Sequence, residues 1–139
     1  FGSRLMSNIR EDKGYTYGIG SMLAELNETG YFMIAAEVGK DVKDATLKEI
    51  RFEFECLQNE LVSEEELTLI RNYMLGQLLK SADGPYAMTD LFLSVELHGQ
   101  DLEHYNRAIA AIHAITAERI RDLAKIYLNW DEMCIYTAG

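Results

Sequence analysis

The 139 residues are 48% hydrophobic and 26% charged, the profile of a folded chain able to bury a core without a metal or disulfide staple. Lys and Arg number 13 against 23 Asp and Glu, a formal charge of −10, which argues against nucleic acid and anionic membranes as partners. No apolar run approaches the roughly 20 residues of a bilayer span. The two cysteines, Cys56 and Cys134, read as buried thiols of a reducing, cytoplasmic compartment.

The chain opens Phe1-Gly2-Ser3-Arg4 without an initiator methionine and reads as a piece of something longer. Ser3 to Lys13 carries Leu5, Met6 and Ile9 at helical spacing and ends at Gly14, suited to the left-handed position after a helix. From Tyr15 to Leu26 the period becomes that of a strand, with Tyr15, Tyr17, Ile19 and Ser21 expected on one face and Thr16, Gly18 and Gly20 on the other. Asn27-Glu28-Thr29-Gly30 is turn chemistry, and Tyr31 to Ala36 predicts a well-buried second strand of an antiparallel hairpin, ended by Gly39-Lys40-Asp41. Leu47, Ile50, Phe54, Leu57 and Leu61 form a helical stripe opposite Lys48, Glu53, Glu55 and Glu60. Ser63 with Glu66 is a capping box for a second helix, whose stripe is Leu67, Ile70, Met74 and Leu78. Pro85 starts a third helix toward His98-Gly99, Leu102 to Ala114 forms a fourth, and Thr116 caps a fifth that runs to about Leu128. Met133 to Thr137 returns to strand character and is expected to join the hairpin. The fold class is therefore α+β, a layer of helices on an antiparallel sheet, in one domain over residues 1–139.

Most candidate chemistry fails on spacing. His98 and His104 are six apart, roughly 240° around a helix, and His113 is nine further on, so no pair matches the i, i+4 zinc arrangement. No G-x-S-x-G elbow is present, and no cysteine has a basic neighbour in sequence; Cys56 stands among Glu53, Glu55 and Glu60. Gly18-Ile19-Gly20 lacks the third glycine and helix start of a phosphate loop, and Glu64-Glu65-Glu66 suits a helix N-terminus.

The segment from Ser3 to Gly18, with S-R-L followed by R-E-x-x-G-x-x-Y, is similar to the C-terminal half-domain of insulinase/pitrilysin-type zinc peptidases, whose fold includes the mitochondrial processing peptidases. Of the glycine-rich stretch that precedes S-R-L in that family, only Phe1-Gly2 remains. Val62 to Leu67, Ile115 to Ile120 and Tyr127-Leu128-Asn129 extend the likeness down the chain. The resemblance implies the later part of a half-domain, truncated at its N-terminus and inactive alone. Zinc is then carried by a catalytic half with an H-x-x-E-H motif that these residues lack, in the same chain or a partner subunit. It also implies that Arg10 and Tyr17 match a pair that contacts peptide substrate near the scissile bond. A guanidinium and a phenol are donors suited to a carbonyl oxygen that gains negative charge. Tyr15 competes with Tyr17 on the expected strand face, and only the family spacing selects Tyr17; Arg4 reads as structural. The implied partners are the catalytic half-domain and a peptide; a sheet edge left open by a missing first strand would favour pairing with a second copy of the chain or with the missing half. A non-catalytic assembly domain on the same fold is the alternative.

Overall fold

A computed structural model describes residues 2–26, 28–101 and 103–139. An opening π-helix (Met6–Asp12) is followed by β1 (Thr16–Glu25), β2 (Gly30–Val38), α1 (Lys43–Asn59) and α2 (Glu64–Ser81). Then come α3 (Pro85–Leu97), α4 (Glu103–Ala114), α5 (Ala117–Tyr127) and a 3-10 turn at Trp130–Glu132. Helices pack on an antiparallel two-stranded sheet, the α+β class expected from the segregation of strands and helices. Two compact units divide the chain: one holds the opening helix, both strands, α1 and everything from Arg121, and the other holds Leu61–Ile120. Among the described residues no helix is long and apolar enough to cross a membrane.

The core of the first unit forms where the opening helix, β1 and α1 each contribute apolar residues. Ile9, Ile19, Ile50 and Phe54 are buried together, with Leu5, Met6, Tyr15, Ile34 and Met133 packed around them. Trp130 meets Phe54 edge to face at 5.9 Å, and Phe32 of β2 lies 6.4 Å from the same ring. Trp130 is fixed by its short turn, in which the Asn129 side chain accepts the Asp131 N–H, and the Leu128 carbonyl accepts from Gln58 of α1. β1 and β2 pair from Thr16↔Val38 to Glu25↔Gly30, and a Cβ at Gly30 would stand 2.9 Å from the Ala24 carbonyl oxygen, so the tight closure requires glycine. Asn27 of the expected turn lies outside the described residues.

Four expectations for this unit are corrected. β2 is largely exposed rather than well buried, with an open groove between it and the C-terminal segment. Met133 to Thr137 does not join the sheet: a groove of 660 Å³, lined by Phe32, Ile34, Phe54, Trp130 and Ile135 among others, lies between this segment and β2. Glu53, expected on the polar face of α1, is only 9% exposed, whereas Leu61 lies beyond the end of the helix and is exposed. Cys134 is exposed and Cys56 half-buried, so neither is a fully buried thiol.

The second unit follows its local signals closely. The Ser63 hydroxyl accepts the Glu66 N–H at 3.1 Å, Pro85 opens α3 after Gly84 at φ +94°, and Gly99 ends it at φ +63°. Thr116 accepts the Arg119 N–H at the start of α5, and α4 ends at Ala114 as expected, although Leu102, its expected start, lies outside the described residues. The stripe of α2 is the exception. Leu67 is 2% exposed and Leu78 half-buried, as expected, but Ile70 and Met74 are exposed, and half-buried Arg71 and Leu75 take their place on the inward face. Arg71 is drawn in because its guanidinium donates to the Ile115 carbonyl and pairs with Glu64 at 3.3 Å.

Candidate functional site

Arg10 and Tyr17 are brought together by two local devices. The first is the end of the opening helix, where the Lys13 N–H bonds the Asn8 carbonyl, the Gly14 N–H that of Arg10, and the Tyr15 N–H that of Ile9, at 3.0–3.2 Å. Gly14 then takes φ +65°, a left-handed conformation that costs a residue with a Cβ energy, and the chain reverses into β1. The second device is a β-bulge. Tyr17 and Gly18 together stand opposite Glu37, so the register shifts between Thr16 and Ile19. The Thr16 hydroxyl holds the bulge: it donates toward the carbonyls of Glu37 (2.6 Å) and Gly18 (2.8 Å) and accepts the Gly18 N–H.

The bulge overturns the expected alternation. With one extra residue inserted, Thr16 and Ile19 both face the core, Tyr15 packs against it half-buried, and Tyr17 is turned out to 92% exposure. Tyr15 and Tyr17 therefore share no face, and the competition between them disappears. The Arg10 guanidinium carbon lies 5.6 Å from the centroid of the Tyr17 ring, a cation–π contact. A permanent cation and a phenolic hydroxyl, both hydrogen-bond donors, thus occupy one surface location.

Behind Arg10 lies a polar cluster that helical periodicity does not reveal. Asn8 donates from its amide nitrogen to Glu53 (2.6 Å) and Glu49 (3.2 Å) of α1, and its amide oxygen accepts from the Lys13 ammonium at 2.7 Å. Lys13 also pairs with Glu49 at 2.9 Å. This hydrogen-bonded pairing raises Lys13 and holds the Glu49 carboxyl below the usual glutamate range. The one signal in the sequence is Asn8 itself, an amide in the middle of a helical stretch, where such residues compete with the backbone.

Other candidates stay apart. His98 bonds the Ser94 carbonyl, His104 stacks edge-on against Tyr105, and among the described residues no three His, Cys, Asp or Glu side chains gather as a metal site. These residues do not fit a zinc ion. Burial pushes the Cys56 thiol up, and Glu60 and Glu53 add to it; the fold does bring Arg4 near enough to offset part of this, a basic neighbour invisible in the local sequence.

Residues 1–74 match the family model described as the peptidase M16 inactive domain. An uncharacterized zinc protease of Rickettsia felis is 31% identical over 81 residues, covering 58% of this chain and 19% of that protein. A peptidase M16 inactive domain from Pseudomonas fluorescens superposes with a TM-score of 0.81 at 25% identity, over 93% of this chain and 31% of that one. A protease from Helicobacter pylori has the same fold, with a TM-score of 0.81 at 18% identity over 92% and 31% of the two chains. The chain thus spans less than a third of the length of each.

Proposed function

Because this chain belongs to the peptidase M16 inactive-domain family, we propose that it is the later part of the non-zinc half of a zinc-dependent metallopeptidase, and that Arg10 and Tyr17 contact the peptide backbone at the bond being cut. The zinc belongs to a catalytic half-domain elsewhere in the same polypeptide or in a partner subunit. What supports the role of this half is the pair itself: Arg10 lies over a Tyr17 ring that is 92% exposed, an arrangement that core packing does not require.

The chemistry follows from the residue types. When a peptide carbonyl becomes tetrahedral its oxygen gains negative charge, and preorganised donors aimed at that oxygen lower the barrier. A guanidinium presents several N–H donors in a rigid fork, and the Tyr17 hydroxyl adds an O–H donor. Their cation–π contact contributes about 0.5–1 kcal/mol at an exposed site and restrains both side chains before substrate arrives. The Gly14 turn and the Thr16-locked bulge place the pair on backbone that is itself hydrogen-bonded.

The test is kinetic, in the full-length protein. Arg10→Ala and Tyr17→Phe are each expected to lower kcat/KM by about 10²–10³, the equivalent of about 2.7–4 kcal/mol, with zinc content unchanged. A non-catalytic assembly domain is the second reading, supported by exposed Leu69, Tyr73 and Leu79 on α2 and Tyr86 on α3, apolar side chains of the kind that partner surfaces cover. Wild-type rates in both variants would leave assembly as the better account.

A further inference from the structure

The opening helix is held to α1 by a directional clamp, and the wide turn is what makes the clamp possible. In an α-helix, at about 100° per residue, side chains five apart stand roughly 140° around the axis from each other. Here the Lys13 N–H bonds the Asn8 carbonyl five residues back, and the same widening lets the Lys13 ammonium reach the Asn8 amide oxygen at 2.7 Å. The two N–H groups of that amide go to Glu53 and Glu49, so both donors and one of the two acceptor directions of the Asn8 head are engaged. Glu53 is a carboxylate buried to 9% exposure, and Asn8 supplies it a donor.

Ile9 is fully buried, and Leu5 and Met6 pack beside it, but apolar contact is non-directional and leaves a seven-residue helix able to roll about its axis. Asn8 and Arg10 flank Ile9 on either side. Fixing Asn8 against α1 therefore fixes the side from which Arg10 leaves the helix, toward the Tyr17 ring. We propose that Asn8 is a positioning residue for Arg10, acting through its clamp between Lys13 and the two α1 glutamates. This rests on the reading of Arg10 given above.

A double-mutant cycle in the full-length protein tests it, using a fluorogenic peptide that the wild type cleaves, with kcat, KM and Tm recorded for each variant. Asn8→Ala is expected to lower kcat about tenfold while KM stays within about twofold, as a misaligned group would. The conservative Glu53→Gln keeps an acceptor for the Asn8 amide and is expected to lose less than about threefold in kcat. Placed on Arg10→Ala, Asn8→Ala is expected to cost nothing further, because its effect runs through the missing guanidinium. Should Asn8→Ala not fold, Lys13→Met, which removes the donor to the Asn8 oxygen, is read by the same cycle against Arg10→Ala. Additive losses in the double variant, or a lowered Tm with wild-type kcat, overturn the positioning role alone. A wild-type rate for Arg10→Ala overturns the Arg10 reading, and this role with it.

Discussion

Two apolar helix stripes with similar sequence patterns meet different fates. On α1, Ile50 and Phe54 are buried because the opening helix, β1 and Trp130 close over them. On α2, Leu67 is buried and Leu78 half-buried, while Ile70 and Met74 of the stripe, and Leu79 beside it, are exposed. Period alone states which face of a helix is apolar; burial needs another element to reach that face. The same contrast holds for charge. Glu53 is buried on α1 because Asn8 donates to it from another element, and Arg71 is drawn inward on α2 because the Ile115 carbonyl accepts from it.

The sharpest break in that comparison is between Phe54 and Leu79. Phe54→Ala is expected to destabilise the first unit by about 3–5 kcal/mol, since it removes the ring against which Trp130 and Phe32 pack. Leu79→Ala, at an exposed position, is expected to stay within about 0.5 kcal/mol. Urea unfolding followed by circular dichroism measures both. Equal costs would mean that α2 is covered in solution and that the two helices do not differ in burial.

A smaller effect sharpens the role of the turn before β1. Nothing lies within 4 Å of a Cβ built on Gly14, so Gly14→Ala meets only the strain of φ +65°, an expected loss of about 1–2 kcal/mol in the same titration. No loss would show that the chain reverses there by another route.

The smallest effect concerns the Lys13–Glu49 pair, which is partly exposed and screened by salt. Folding lowers the Glu49 value, so its contribution is present above the ordinary glutamate value of about 4.3 and is lost as pH falls through the lower folded value. Lys13 is raised, so its contribution is complete below the ordinary lysine value of about 10.4 and is lost as pH rises through the raised one. The stability difference between wild type and Glu49→Gln should therefore be widest between those two values and shrink at either extreme. A difference independent of pH would remove the ion pair as its cause.

Local signals were legible wherever a residue acts on its own neighbours. Ser63, Pro85, Gly99 and Thr116 bound the helices as their chemistry suggests, and Gly14 takes the left-handed turn. The pairing of Arg10 with Tyr17 was legible through family spacing. What put them in contact was not, because strict alternation places Tyr15 and Tyr17 on one face, and the bulge breaks that alternation only once Glu37 is opposite. Asn8 gave almost no sign, since its partners Glu49 and Glu53 are more than 40 residues away.

By itself the sequence determined the class of fold, the order of its helices and of the two hairpin strands, the caps at Ser63, Pro85 and Thr116, and the seven-residue spacing of Arg10 and Tyr17. These are short-range properties, set by propensity, periodicity and side chains that reach their own backbone. Only the tertiary structure decided that Tyr17 faces out and Tyr15 inward, that Glu53 is buried, that the apolar face of α2 is largely uncovered, and that the C-terminal segment stands off from β2 across a groove. Each of those outcomes depends on which distant element arrives opposite a residue, and no local pattern encodes that arrival.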